Sequence, residues 1–167
     1  DFCLSRGLGD VYKRQPLQLG VAVADKPDGK FERLTENPIL EFADTDKHME
    51  DPFLWYDDKR KKFCMLAKDD SKNGDSGITG EWGAGFYAES DDCIHFEISE
   101  NPKVYSRNLV WDDGRKTTQC NLERPSILFD ENGEPIYLFC ASGDGENPYT
   151  FKGSTYVVGI KLERKQV

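Results

Sequence analysis

The sequence feature that most constrains the fold is internal repetition. The segment EDPFLWYDD at residues 50–58 recurs as ERPSILFDE at 123–131, and each copy is followed by a turn and an apolar run. A second segment, GVAVAD at 20–25, recurs as GFYAES at 85–90. Repeated units made of several short strands are typical of a β-propeller, in which blades of antiparallel strands surround a central axis.

The apolar runs of the chain are short, and they contain many aromatic and β-branched residues. Such runs predict β-strands, and the Gly, Asn, Asp and Pro residues between them predict turns. No long segment follows the period of an α-helix, so we expect few helices. The predicted strands are 17–24, 53–56, 62–67, 84–88, 126–129, 136–140 and 156–160.

These patterns predict an all-β fold, namely part of a β-propeller built from four-stranded antiparallel sheets. A closed ring of four or five such blades needs roughly 300 residues. The present chain has 167 residues and supplies about two and a half blades. The alternative is a β-sandwich whose turns resemble one another by coincidence.

The charge of the chain excludes several classes of partner. Asp and Glu total 31 and Lys and Arg total 22, which gives a net charge of −9. Nucleic acids and anionic membrane surfaces attract proteins with an excess of Lys and Arg, so we expect neither as a partner. No apolar run has the roughly 18 residues of a membrane-spanning helix. The sequence leaves the compartment and the oligomeric state open.

No motif in the sequence predicts a cofactor or a metal ion. There is no glycine-rich phosphate loop and no dinucleotide-binding fingerprint. The acidic pairs lack the glycine and the distal Glu of a calcium-binding loop, so none of them predicts a metal site. The five cysteines are dispersed, which favours packed thiols over a disulfide framework.

The first fifteen residues differ in character from the rest of the chain. Residues 5–15, SRGLGDVYKRQ, resemble the translation of a transposon-based sequencing adapter, residue for residue. A segment of that origin is excluded from fold reasoning. We therefore expect 1–15 to be a non-native leader without packing contacts from Ser5 to Gln15. The domain is expected to comprise 16–167, a truncated fragment of a longer protein.

Two acidic residues, Asp51 and Glu123, lie at the starts of the repeated segments. In a propeller the first strands of successive blades converge on the axis, so these positions are expected to face one another. Cleavage of a glycosidic bond needs such a carboxyl pair, in which one group donates a proton while the other tunes it or activates water. The alternatives are a turn-initiating Asp before Pro52 and a solvated surface Glu.

Residues 20–161 resemble the five-bladed propellers of glycoside hydrolase family 43, which are related to the family 117 and family 32 furanosidase-type enzymes. The matching segments are EDPFLWYDD at 50–58, SDDCIHF at 90–96, LERP at 122–125 and LFDENG at 128–133. The resemblance implies that Glu123 is the general acid and that Asp51 tunes its pKa. It also implies that the general base is an Asp in a blade upstream of Leu17.

The resemblance thus implies an O-glycosyl hydrolase that inverts the anomeric centre of a plant or algal saccharide, while the fragment itself is expected to be inactive. The alternatives are a non-catalytic carbohydrate-binding propeller and a retaining fructosidase-type enzyme. Three further residues are candidates for substrate binding. Trp82 lies in a glycine-flanked loop and offers a face for stacking on a sugar, whereas Arg107 and Arg124 can donate hydrogen bonds to hydroxyl groups.

Overall fold

The structure is a computed structural model that describes residues 2–6, 17–42, 47–71, 77–145 and 151–163. Within these ranges it contains β-strands and turns but no helix, and hence no helical segment that could cross a membrane. The strands of the described part are β1 (Phe2–Arg6), β2 (Leu19–Val23), β3 (Glu32–Arg33), β4 (Met49–Asp57), β5 (Lys62–Asp69), β6 (Gly85–Ser90), β7 (Glu97–Tyr105), β8 (Asn108–Val110), β9 (Lys116–Thr118), β10 (Glu123–Phe129), β11 (Pro135–Gly145) and β12 (Phe151–Lys161).

The strands form three successive antiparallel sheets and one hairpin. The first sheet has the order β1-β2-β3, the second β4-β5-β6-β7 and the third β10-β11-β12. The hairpin β8-β9 lies between the second and third sheets in the sequence. Neighbours in each sheet are consecutive in the chain. Among the described strands, the second sheet has the four expected for a blade, and the first and third have three each.

Each sequence repeat occupies the same place in two different sheets. The repeat at 50–58 and 123–131 corresponds to β4 and β10, which lie at the first edges of the second and third sheets. The repeat at 20–25 and 85–90 corresponds to β2 and β6, each of which has an antiparallel neighbour on both sides. The repeats therefore reflect repeated sheet topology.

Strand β1 comes from the predicted leader. Its backbone pairs with β2, and the partners include Ser5 with Gly20 and Arg6 with Leu19. The expectation that the leader makes no packing contacts is therefore wrong for Ser5 and Arg6. Residues 7–15 lie outside the described residues.

The second sheet is covered on both faces. On β5, Met65 and Ala67 belong to a core shared with β2, whereas Leu66 belongs to a core shared with β10–β12 through residues such as Leu138 and Val158. Successive side chains of a strand point to opposite faces, so a strand between two cores reads as a continuous apolar run. This is why residues 64–69 of β5 are all buried. It also fixes which side chains face the third sheet.

Candidate active site

The centre of the candidate site is the ammonium group of Lys68. Lys68 follows Leu66 on the same face of β5, and it therefore points toward the third sheet. Its Nζ lies 2.7 Å from Glu50 Oε1 on the paired strand β4 and 3.0 Å from Glu123 Oε1 on β10. The side chain of Lys68 is only 2% exposed. One buried cation thus joins carboxylates of two neighbouring sheets.

Each of the two strands that supply these carboxylates has a β-bulge near its start. The pairing of β4 with β5 shifts between Glu50 and Phe53, and that of β10 with β11 shifts between Glu123 and Ser126. One extra residue in each bulge keeps the flanking side chains on one face of the sheet. This is how Glu50 and Glu123 both come to face Lys68.

The two bulges share an unusual backbone conformation. Asp51 has φ 53° and Arg124 has φ 52°, in the left-handed region that non-glycine residues seldom adopt. The two residues contact each other, because the Arg124 backbone N–H donates a hydrogen bond to Asp51 Oδ2 at 3.3 Å. Strained backbone of this kind concentrates at functional sites. The repeat therefore brings two equivalent bulges face to face.

Asp51 is half-buried, and its surroundings disfavour its charged form. Burial is the main cause that raises the pKa of the Asp51 carboxyl above its ordinary value, and the negative charge of Glu50 adds to it. Arg124 and Lys68 act in the opposite direction, while Glu123 again raises this pKa. The electrostatic interaction between Asp51 and Glu123 shows that the two carboxyl groups lie close enough to influence each other.

A third carboxyl group, that of Asp70, lies on the other side of Lys68. Its Oδ1 is 3.7 Å from the Lys68 ammonium and accepts a hydrogen bond from Trp82 Nε1 at 3.1 Å. Burial raises the pKa of Asp70 most, followed by the charge of Glu50. The ammonium also lies 5.2 Å from the centre of the Trp82 ring. Trp82 therefore forms part of the wall around the cation.

The Arg107 side chain packs against the Trp82 ring. Its guanidinium lies 4.8 Å from the centre of the Trp82 ring and donates to the backbone carbonyl oxygens of Trp82 and Gln119, both at 2.9 Å. The close approach requires glycine at position 83, where φ is +78° and a Cβ would lie 2.8 Å from the Arg107 Cδ atom. These contacts hold the indole ring against the cluster.

A cavity of about 370 Å³ lies beside Glu123. Glu123 and Arg124 line it together with polar groups of the third sheet and the segment before it, including Asn121, Ser142 and Tyr156. The Arg124 side chain is 71% exposed, so its guanidinium is accessible to a ligand. The volume falls at the lower end of the range for small-molecule sites, roughly 300–1,000 Å³. The cavity is open to solvent, and its lining offers both donors and acceptors.

The structure brings all five sequence-predicted site residues into one region. Asp51, Glu123 and Arg124 meet at the two bulges. Trp82 and Arg107 lie on the opposite side of Lys68, where the described hydrogen bonds of the Arg107 side chain go to backbone carbonyl groups. None of the five is remote from the cluster.

Sequence reasoning missed three members of the site, namely Glu50, Lys68 and Asp70. The sequence contained an indication of the role of Glu50, because the repeat aligns Glu50 with Glu123. Lys68 also had one, since it is a charged residue that directly continues the apolar run of residues 63–67. Lysine is rarely buried without a charged partner, so its place in a two-sided core strand indicates buried carboxylates nearby.

The acidic cluster surrounds a lysine. Within the ranges that the structure describes, no group of His, Cys, Asp and Glu side chains is arranged to hold a metal ion. The positive charge between the carboxylates is supplied by Lys68, whose ammonium donates to Glu50 and Glu123.

Comparison with known proteins gives structural matches but no sequence match. No protein-family model matches the chain, and no curated protein matches its sequence. A solved structure of a BT0996–RGII complex matches 98% of this chain with a TM-score of 0.62 and 9% identity. A structure described as a glycoside hydrolase matches 99% with a TM-score of 0.59 and 11% identity. A fructofuranosidase from Schwanniomyces occidentalis, complexed with fructosylnystose, matches 88% with a TM-score of 0.54 and 10% identity.

The chain spans 40%, 42% and 24% of the lengths of these three structures. At such low identities the likeness shows the fold. The prediction of an all-β, partial propeller is confirmed, and the fold of this chain is that of the propellers found in glycoside hydrolases.

Proposed function

We propose that this chain is part of a glycoside hydrolase in which Glu123 is the general acid and Asp51 tunes it. The observation that carries the proposal is the meeting of the two bulges, where the Arg124 N–H links Glu123's strand to the Asp51 carboxylate. Carboxyl groups from two neighbouring sheets thereby share one site beside a solvent-open cavity that Glu123 and Arg124 line. This arrangement can supply the general acid for cleavage of a glycosidic bond, with a second carboxyl group beside it.

In the proposed reaction Glu123 donates its proton to the glycosidic oxygen as the bond from that oxygen to the anomeric carbon breaks. The general base removes a proton from a water molecule, whose oxygen forms the new bond to the anomeric carbon. We propose that this base is the upstream Asp implied by the family 43 resemblance. The carboxyl groups of the acid and the base are then expected roughly 6.5–9.5 Å apart, and the product has inverted configuration.

The role of Asp51 follows from electrostatic repulsion. Asp51 and Glu123 influence each other through their charges, and this interaction is mutual. We propose that this interaction between charges is the means by which Asp51 tunes Glu123, as the family 43 resemblance implies. Arg124, which is exposed beside the cavity, is the proposed donor to substrate hydroxyl groups. Trp82 and Arg107 are proposed to shape the sugar site from the other side.

The proposed substrate is a plant or algal saccharide. Hydroxyl groups of a sugar pair with groups that both donate and accept hydrogen bonds, and Asn121, Ser142 and Tyr156 offer such groups along the cavity. A volume of about 370 Å³ suits a small ligand portion better than a long stretch of polymer.

The test compares two substrates in the full-length protein that contains this chain. Glu123→Gln removes the acid, and the exposed Glu131→Gln in the β10–β11 turn is the matched control. General acid catalysis contributes on the order of 10²–10⁴-fold. We expect a loss of that size on an unactivated oligosaccharide. We expect a much smaller loss on an aryl glycoside whose leaving group needs no protonation, and no loss in the control.

Wild-type activity of Glu123→Gln on the unactivated saccharide would overturn the assignment. Saccharide binding without any hydrolysis would favour the non-catalytic propeller instead. An NMR measurement of the first-formed anomer separates the remaining alternative, because retention of configuration would identify a fructosidase-type mechanism.

A further inference from the structure

Lys68 is a buried charged group that the proposed reaction does not yet use. Its side chain is 2% exposed, and lysine is almost never buried to this extent unless it is paired. An ammonium group has three N–H donors. Two of them are directed to Glu50 and Glu123, and the third side of the group faces Asp70 and the Trp82 ring.

We propose that Lys68 is a positioning residue that fixes the carboxyl group of Glu123 in its working orientation. The proposal rests on the proposed function, because it gives Lys68 a role only through the acid. Glu123 approaches from β10, whereas Lys68 and its other partner Glu50 belong to the second sheet. The ammonium therefore links the carboxyl group of the acid directly to the neighbouring sheet.

The distances around Lys68 show which carboxylate is its main counterion. The shorter contact, 2.7 Å, is to Glu50, which makes Glu50 the main counterion. Lys68 and Glu50 form a neutral pair, and Glu123 adds a negative charge to this pair at 3.0 Å.

The groups that face Lys68 come from every element packed around it. They are Glu50 and Asp51 on β4, Asp70 after β5 with His48 near it, Trp82 and Arg107 beyond it, Tyr105 on β7 near Asp51 and Glu123, and Glu123 and Arg124 on β10.

Carboxylates outnumber the cations in direct contact with this cluster. Burial by itself would lower the pKa of Lys68, but the hydrogen bond and charge of Glu50, together with the charge of Glu123, outweigh burial and raise it. Lys68 therefore stays charged over the neutral range in which a hydrolase is assayed.

A purely structural role of Lys68 and a positioning role lead to different expected results. Loss of a structural contact lowers activity on every substrate alike, because it lowers the amount of folded protein. Loss of a residue that acts through the acid affects only substrates that need the acid. A displacement of about 1 Å in a reacting group can cost on the order of 10²-fold in rate.

The experiment measures kcat/KM of Lys68→Met in the full-length protein, with and without Glu123→Gln. Lys62→Met is the matched control, because Lys62 lies on the same strand and pairs with Asp91 at the surface. We expect Lys68→Met to lose on the order of 10²-fold on the unactivated saccharide and far less on the aryl glycoside. In the Glu123→Gln background the same substitution should add almost nothing, because residues that act as a unit are not additive.

Equal losses on both substrates, or a full additional loss in the Glu123→Gln background, would overturn the role of Lys68 and leave the acid assignment standing. An unaffected Glu123→Gln enzyme would instead overturn the proposed function, and the role of Lys68 with it.

If Lys68→Met does not fold, Glu50→Gln provides the second test. It transfers more of the ammonium charge onto Glu123, so the alkaline limb of the kcat/KM profile should move to lower pH. An unmoved profile would contradict the proposal.

Discussion

The shared ammonium makes a quantitative prediction about stability. At an effective dielectric constant near 20, a unit charge 2.7–3.0 Å from an ammonium gains about 6 kcal/mol before desolvation is counted. Glu50 and Glu123 touch the same nitrogen, so their nearest oxygens are no more than about 6 Å apart and repel each other by at least about 3 kcal/mol. Removal of either glutamate charge loses one attraction, relieves this repulsion and avoids one desolvation cost.

We therefore expect Glu50→Gln and Glu123→Gln each to cost about 1 kcal/mol of unfolding free energy at neutral pH. The double variant is different, because it leaves Lys68 with only Asp70, whose Oδ1 is 3.7 Å away. An insufficiently paired buried charge costs about 3–5 kcal/mol. The double variant should therefore lose about 1–3 kcal/mol more than the sum of the single variants, which lies within the usual range for coupled residues.

Urea unfolding followed by tryptophan fluorescence measures these differences, with Glu131→Gln as an exposed control that should couple to neither glutamate. Effects that add within about 0.5 kcal/mol would refute the reasoning, because independent sites add to that accuracy. Such a result would mean that the two glutamates do not share Lys68.

Two further predictions concern the glycines of the repeat and the charge of Asp51. A Cβ at position 85 would lie 1.9 Å from the Tyr105 ring, whereas one at the repeat-equivalent Gly20 meets nothing closer than 3.5 Å. Gly85→Ala should lower the unfolding free energy by about 1–3 kcal/mol in urea titrations, and Gly20→Ala should not lower it; equal effects would contradict the packing described. Because the folded-state pKa of Asp51 is raised, the protein binds its proton more tightly when folded, and this charge lowers stability once pH rises above the ordinary range of Asp. Asp51→Asn should therefore raise the urea midpoint at pH 7 and lose this benefit near pH 3, while a lower midpoint at pH 7 would show that Asp51 stabilises the fold.

Much of the fold could be predicted from sequence because β5 and β6 each contain an apolar run that contributes side chains to both faces of the sheet. The predicted strand 62–67 corresponds to β5, and 84–88 corresponds closely to β6. Strand β7 (Glu97–Tyr105) was missed because it is mostly exposed, charged and interrupted by Pro102, as an edge strand tolerates. The hairpin β8-β9 is similarly short and polar.

Only some of the site residues could be predicted from the sequence, and the reason is different. Asp51 and Glu123 precede prolines at the start of a repeat, which is a local pattern. The pairing of Glu50 with Lys68 depends on the register of β4 against β5, and the contact of Lys68 with Glu123 depends on how two sheets pack. A short stretch of sequence determines neither the register of the strands nor the packing of the sheets.

In the two equivalent bulges, the backbone conformation is the same although the side chains differ. Asp51 in one sheet and Arg124 in the next adopt the same left-handed backbone conformation, so this conformation requires neither side chain. Once a duplicated unit carries such a conformation, a single codon change at that position can invert the sign of the charge presented between sheets without a new backbone. Divergence of repeated units can thus assemble an asymmetric set of charges from a symmetric architecture. Asp51 and Arg124 carry opposite charges at equivalent positions of the two bulges.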